Sequence, residues 1–433
     1  MTQSISAEVR VPGDKSLTHR ALMFAAAARG ESRLSGLLPG ADCRSTAAVL
    51  GALGADIPTL PAHGEEIRIH SRGIGSWRAP TEILDCGNSG TTVRLLMGLL
   101  AGRPFCSTLT GDHSLRARPM RRVTEPLSRM GARVRELGEP DRLPVELCGG
   151  PLEALSYRSP KASAQIKSAL LLAGLSGGVA VEVWEPGLSR DHTERILRSL
   201  GARVEGHREG DGWLVRFEPP AEALPPLEMQ VPGDPSSAAF ILSVALLAGE
   251  GEIMVPAVGI NPTRTGFFAA VARMGGRIEM LNERESGGEP VADLVARPAQ
   301  LHGIEVGGEE IPSMIDELPV LAVLAARAEG ETVVRGAEEL RAKESDRITA
   351  VVDNLRAIGV DAEELPDGFI VRGTDRPLAG RVRTHHDHRI AMAFGVLGAI
   401  PGAELDIEAP EIVDVSFPGF WETVRALGGG AGR

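Results

Sequence analysis

Apolar and polar positions along the chain repeat one plan. Stretches rich in Ala and Leu at helical spacing end in a hydrophobic-Gly-small triplet, and most then lead into a strand-like run. The triplets are Leu53-Gly54-Ala55, Met130-Gly131-Ala132, Leu200-Gly201-Ala202, Met274-Gly275-Gly276, Ile358-Gly359-Val360 and Leu427-Gly428-Gly429. Glycine at that point suits the left-handed residue that closes a helix. The glycines are 77, 70, 74, 84 and 69 residues apart, which predicts six copies of one supersecondary unit. Within a copy the order reads strand, helix, strand, helix and further short strands. Around the third triplet, for example, 164–173 predicts a helix, 179–183 a strand and 192–200 a second helix.

The tetrapeptide Val-Pro-Gly-Asp occurs at 11–14 and again at 231–234 and divides the six copies three and three. The expectation is an α/β protein of two similar lobes, 14–232 and 1–13 plus 233–433, with a double hinge near 11–14 and 231–234. The N-terminal residues would return to the second lobe as its extra strand, and a small-molecule site would be expected in a cleft between lobes. At each occurrence Pro-Gly makes a turn and Asp offers an N-cap to an Ala/Leu-rich helix. After the first, Lys15, Ser16 and Arg20 recur at helical spacing and are expected to face one anion at the helix start. The second continues Pro235-Ser236-Ser237 without a cation, as a structural echo.

Composition narrows the function. With a net charge of −12 and 3% aromatic residues, a nucleic-acid surface is not expected. No apolar run reaches the length of a membrane span, and the start of the chain lacks a basic region followed by an apolar one, so a protein of the cytoplasm is expected. Cys43, Cys86, Cys106 and Cys148 lie far apart without a Cys-x-x-Cys pair, which argues against zinc fingers and disulfide frameworks. The chain has 42 Arg but only four Lys: Lys15, Lys161, Lys167 and Lys343. A coding bias explains the imbalance, and Lys15, Lys167 and Lys343 are candidates for places where guanidinium does not substitute for ammonium, whereas Lys161 lacks a comparable motif.

Several polar stretches precede helical runs. Asp85 to Thr92 carries small residues that let backbone N–H groups approach an anion, with Asn88 and Thr91 adding side chains and Arg94 beginning the helix; an ordinary capped helix start reads the same way. Arg116 and Arg118 stand before Pro119, a first-turn proline by its position. Ser163 and Gln165 open the helix that contains Lys167, which by pattern is equally a surface residue. Ser189-Arg190-Asp191-His192 repeats the polar loop before a helix. Asp316 and Glu317 fall inside an apolar helix predicted over 315–326, where a carboxylate needs a partner or a proton. Lys343, Glu344 and Arg347 follow within one and a half turns, although Glu344 and Arg347 are also an ordinary i,i+3 pair. Thr384-His-His-Asp-His-Arg389 has metal-site residues, but the apolar run after it makes His388 and Arg389 cap-region groups.

Taken together, GDKSLTHR at 13–20, GNSGTTVR at 87–94, GDHSLRARPM at 111–120, SAQIKSALLLAGL at 163–175 and SRDHTER at 189–195 resemble the 5-enolpyruvylshikimate-3-phosphate (EPSP) synthases. VPGDPSSAAF at 231–240, NPTRTG at 261–266, PSMIDELP at 312–319, EELRAKESDR at 338–347 and HHDHRIAMAF at 385–394 extend the resemblance along essentially the whole chain, in the form of the family's second class. It implies two lobes of three βαβαββ units each, an inverse α/β barrel of the enolpyruvyl transferase type. It also implies condensation of shikimate 3-phosphate with phosphoenolpyruvate in the shikimate pathway, by a monomer without metal or cofactor.

Carried over by motif, shikimate 3-phosphate would meet Lys15, Ser16, Arg20, Ser163, Ala164, Gln165, Arg190, Asp316 and Lys343. Phosphoenolpyruvate would meet Lys15, Asn88, Gly90, Arg118, Gln165, Arg347 and Arg389. Glu344 would be the acid at carbon and Asp316 the base or aligner at the hydroxyl, with Lys15 near both; lobe closure would exclude water. Gly90 is glycine where some glyphosate-insensitive relatives have alanine, Leu95 stands where many first-class members have proline, and Val415 where they have lysine. Two alternatives stay open. The UDP-N-acetylglucosamine enolpyruvyl transferases share the fold, but usually place a cysteine on a loop before a Pro-Arg pair, whereas here Ala117 precedes Arg118-Pro119. A non-catalytic anion-binding paralogue would have no need for carboxylates beside anions.

Overall fold

The computed structural model describes residues 4–427. The chain divides into two compact units: Gly13–Val231 with Glu285–Glu289, and Pro232–Arg284 with the chain from Pro290 onward and the N-terminal segment up to Pro12.

Among the described residues each unit contains three small sheets, and every sheet has one parallel pair. In the first unit Leu84–Asp85 runs parallel to Cys106–Thr110, with Val145–Cys148 and Arg133–Glu136 added antiparallel. Leu155–Arg158, Val181–Glu185, Gly212–Glu218 and Arg203–Glu209 repeat that order. The remaining sheet pairs Glu228–Gln230 with Arg29–Ser35, so the end of the unit closes onto its beginning. In the second unit the closing strand is N-terminal: Ser4–Glu8 lies parallel to Glu250–Gly259. Parallel neighbours require a crossover, and helices supply it.

Buried helices, four of them crossovers of this kind, explain the apolar runs. Lys15–Ala27, Gly90–Ala101 and Ala164–Gly177 are buried along almost their whole length, as are Pro235–Leu246, Leu318–Ala325 and His388–Gly398 in the other unit. A helix apolar all round belongs inside, with strands and amphipathic helices around it. Five of the six triplets close a helix as predicted, with Gly54, Gly131, Gly201, Gly275 and Gly359 all at positive φ; Gly428 lies outside the described residues.

The Val-Pro-Gly-Asp turns need glycine for space. A Cβ on Gly13 would sit 1.8 Å from the Gly36 carbonyl oxygen, and one on Gly233 would sit 2.8 Å from Val11 Cγ2. Asp14 then caps its helix through Leu17 N at 2.8 Å, and Asp234 caps its own through Ser236 N at 2.8 Å.

Three expectations are corrected. The helix expected over 315–326 begins only at Leu318 and runs to Ala325; a separate short helix, Ile311–Met314, precedes it, and Asp316 and Glu317 stand in the break between the two. Pro319 has no N–H to continue the ladder, and its ring opposes the carbonyl of Ile315 four residues back. Pro119 precedes the helix Arg121–Arg129 instead of occupying its first turn, and Arg116 ends the short helix His113–Arg116 with its side chain exposed. Cys106 and Cys148, read as unpaired, face each other in register on adjacent strands with Cα atoms 3.9 Å apart and form a disulfide. Antiparallel pairing brings together cysteines 42 residues apart, which spacing along the chain does not reveal. Among the described residues no helix is long and apolar enough to cross a membrane.

Candidate active-site residues

In the first unit the starts of two buried helices lie side by side. Gly90–Ala101 and Ala164–Gly177 approach so closely that a Cβ on Gly98 would meet the Ala169 carbonyl oxygen at 2.2 Å. Their N-caps are Ser89, whose hydroxyl accepts from Thr92 N at 3.1 Å, and Ser163, whose hydroxyl accepts from Ile166 N at 3.5 Å. Ala164 is the first helical residue and Gln165 the second. Gln165 Oε1 accepts from Arg94 NH1 at 2.8 Å and from Arg122 NH2 at 3.4 Å, while its Nε2 donates to Thr91 Oγ1 at 3.2 Å. Arg118 NH2 donates to Asn88 Oδ1 at 2.8 Å, and Asn88 Nδ2 donates to Asp112 at 2.7 Å. A Cβ on Gly90 would stand 2.6 Å from Arg94 NH1.

Arg94, Arg118 and Arg122 thus stand where these two helices start. Burial pushes the Arg94 pKa down to about 9, with Arg122 and Arg118 adding to the effect. A bound anion would offset that repulsion and use the helix N-terminus at the same time.

Lys15 pairs with Asp42 and keeps some solvent exposure, as does Ser16 beside it. Arg20 lies deeper than these two. It is 3% exposed, and donates to Thr193 Oγ1 at 2.8 Å, Ser168 Oγ at 3.0 Å and the Ser16 carbonyl at 2.9 Å. Burial lowers its pKa to about 10 against the pull of Glu194. Arg190 is half-buried in the loop before the helix His192–Ser199. Lys167, which by pattern could have been surface, is wholly buried.

The second unit gathers its residues around one guanidinium. Arg347 begins the helix Arg347–Ala357, is 1% exposed, and meets Asp387 at 2.8 and 3.2 Å, Glu344 at 2.6 Å and Asp316 at 3.2 Å. Lys343 and Arg389 lie 3.8 Å from Asp316 Oδ1, and Arg389 NH1 donates to the Asp316 carbonyl at 3.3 Å. Burial opposes charge on both Arg347 and Asp387, but the pair outweighs it, raising the arginine and lowering the carboxyl. Asp387 also caps the helix His388–Gly398 through Arg389 N at 2.9 Å, so one carboxylate sets both Arg347 and Arg389. Among the described residues no group of three His, Cys, Asp or Glu side chains is placed to hold a metal.

The sequence reading passed over Asp42, Arg122 and Asp387 and took Arg94 only as a helix opener. Arg94 and Asp387 stand inside the quoted motifs, at 87–94 and 385–394, where a charged residue next to a capped helix was the available signal. Asp42 and Arg122 had none comparable.

Two buried-helix units, one with an arginine-ringed helix start and one with carboxylates held on a buried arginine, suit a transferase acting on anionic substrates. The family model for EPSP synthase (3-phosphoshikimate 1-carboxyvinyltransferase) matches residues 1–424. The 3-phosphoshikimate 1-carboxyvinyltransferase of Desulfitobacterium hafniense (strain DSM 10664 / DCB-2) is 49% identical over 423 residues, 98% of this chain and 95% of that protein. That of Aquifex aeolicus (strain VF5) is 48% identical over 422 residues, 97% of this chain and 96% of its own. The solved EPSP synthase of Acinetobacter baumannii superposes with a TM-score of 0.87 at 40% identity, covering 99% of this chain and 97% of that one. The enolpyruvyl transferase NikO from Streptomyces tendae shares the fold, with a TM-score of 0.76 at 20% identity over 99% of this chain and 96% of its own. The chain belongs to the EPSP synthase family.

Proposed function

We propose that the chain transfers the enolpyruvyl group of phosphoenolpyruvate to the 5-hydroxyl of shikimate 3-phosphate, giving 5-enolpyruvylshikimate 3-phosphate and phosphate. The observation that carries the mechanism is that Asp316 and Glu344 both meet the buried Arg347 guanidinium, at 3.2 and 2.6 Å. Two carboxylates fixed on one cation suit a reaction that moves one proton at an oxygen and another at a carbon two bonds away.

The hydroxyl oxygen bonds to C2 of phosphoenolpyruvate while C3 gains a proton. Phosphate then leaves C2 and C3 gives a proton back, which restores the double bond; the hydroxyl proton ends on phosphate. In this scheme Glu344 serves C3 and Asp316 aligns and deprotonates the hydroxyl. Lys15, Asn88, Gly90, Arg118, Gln165, Arg347 and Arg389 hold phosphoenolpyruvate, whose departing phosphate needs positive charge. Ser16, Ser163, Ala164, Gln165 and Arg190 take the phosphate of the other substrate, and Lys15, Arg20, Asp316 and Lys343 its ring groups. A monomer working in the cytoplasm fits this scheme.

The test is phosphate release from the two substrates in the presence of EDTA, for the native protein and for Glu344→Gln. Native turnover is expected, with kcat lowered by about 10²–10⁴-fold in the variant. No native turnover would overturn the cofactor-free transferase, and an unimpaired variant would remove Glu344 from proton transfer.

A further inference from the structure

A buried ion cluster in the first unit takes no part in that scheme. Lys167 Nζ lies 2.7 Å from Glu185 Oε1 and 2.8 Å from Glu194 Oε1, and the three side chains are 0%, 1% and 1% exposed. Burial by itself would lower the Lys167 pKa, but Glu194 and Glu185 outweigh it and keep the ammonium charged. Burying such a group adds little to stability, because desolvation cancels most of the attraction. A geometric duty explains the cluster better, and its contacts specify which.

Glu185 ends the strand Val181–Glu185, and four donors converge on its two oxygens. These are Ser163 N at 3.3 Å, Ser189 N at 3.0 Å, Ser189 Oγ at 2.7 and 2.9 Å, and Lys167 Nζ. Ser163 caps the helix that presents Gln165, and Ser189 immediately precedes Arg190. Lys167 also donates to the Ser189 carbonyl at 3.3 Å. Two segments far apart in sequence are therefore referenced to one carboxylate, whose charge Lys167 neutralises. An amide in its place has one accepting oxygen and presents N–H groups to donors.

We propose that Glu185, fixed by Lys167, is a positioning residue for the phosphate subsite: it sets Ser163–Gln165 and Arg190 at the separation that lets both reach one phosphomonoester dianion. The inference rests on the substrate reading above, and its test separates the two. Dissociation constants for shikimate 3-phosphate and for shikimate, which lacks the phosphate, are measured on the native protein, Glu185→Gln and Ser189→Ala, together with KM for phosphoenolpyruvate.

Glu185→Gln should weaken shikimate 3-phosphate by about 10-fold or more, the scale of a hydrogen-bond set to a charged group, leave shikimate within about 2-fold, and raise the KM for phosphoenolpyruvate by less than it weakens shikimate 3-phosphate, since Gln165 also serves that substrate. Ser189→Ala, which keeps the ion pair, should give a smaller loss of the same selectivity and decides the matter if the glutamine variant fails to fold. Equal weakening of both ligands, or of neither, would overturn the positioning role while the substrate reading stands. A native protein that does not prefer shikimate 3-phosphate to shikimate overturns both.

Discussion

The helices Lys15–Ala27 and Pro235–Leu246 begin from the same tetrapeptide and the same aspartate cap, and they differ in what they do with charge. At the first, the Lys15–Asp42 pair retains side-chain exposures of 22% and 12%. At the second, Arg264 is 2% exposed and enclosed by Asp234 at 3.2 Å, the Ser236 hydroxyl at 2.8 Å and Glu317 at 3.9 Å, with Ser236 also bonded to Glu317. One backbone device thus serves an accessible cation in one unit and a closed polar core in the other. A capped helix start becomes a candidate site only where its charge stays within reach of a ligand.

The comparison breaks most readily at Arg264. Arg264→Met leaves Asp234 and Glu317 buried without their cation, and should destabilise the fold by about 3–5 kcal/mol, read as a lower urea midpoint. Lys15→Met should do the opposite: thermal stability close to native, and kcat for phosphate release lower by about 10²–10³-fold. If the Lys15 variant unfolds and the Arg264 variant keeps its stability, the roles assigned to the two copies are reversed.

A smaller effect separates the same two helices by pH. Counting from the shared aspartates, His19 occupies the position of Ala239. It is fully buried, and that burial lowers its pKa from 6.5 to about 3, against the pull of Asp42 and with help from Lys15 and Arg20. Between those values the unfolded chain binds a proton that the folded chain refuses. Stability therefore falls as pH drops from about 6.5 toward 3, by at most about 1.4 kcal/mol per unit. In His19→Gln the urea midpoint should vary less with pH over that window. An unchanged slope would mean that His19 is protonated in the fold.

What the sequence made legible follows from what local patterns encode. Gly54, Gly131, Gly201, Gly275 and Gly359 could be read because a helix terminus at positive φ favours glycine wherever it occurs. The six-fold repeat rests on that local requirement. Asp316 is legible as a carboxylate in an apolar run, but apolar spacing alone does not show that the run is broken; Pro319, which favours a helix start, is the local signal for the break. Lys167 left its burial undecided, since its partners Glu185 and Glu194 stand 18 and 27 residues away across a strand and a loop. The Cys106–Cys148 pair is illegible for the same reason. Periodicity says which side of an element is buried; it does not say which distant side chain will lie opposite.

The smallest expected effect tests whether the two caps are equivalent. Asp14 Oδ1 accepts from Leu17 N and Asp234 Oδ1 from Ser236 N, both at 2.8 Å, and removing such a cap costs about 1 kcal/mol. Asp14→Ala should lose about that much. Asp234→Ala should lose more, because the same oxygen receives Arg264 NH2 at 3.2 Å and the deletion leaves that buried guanidinium with one fewer carboxylate. Combined with Arg264→Met, however, Asp234→Ala should cost less than it does alone, since the charge it balanced is gone. A double-mutant cycle in urea measures that coupling. Strict additivity of Asp234→Ala and Arg264→Met would show that Asp234 acts only as a cap, making the two helix starts alike after all.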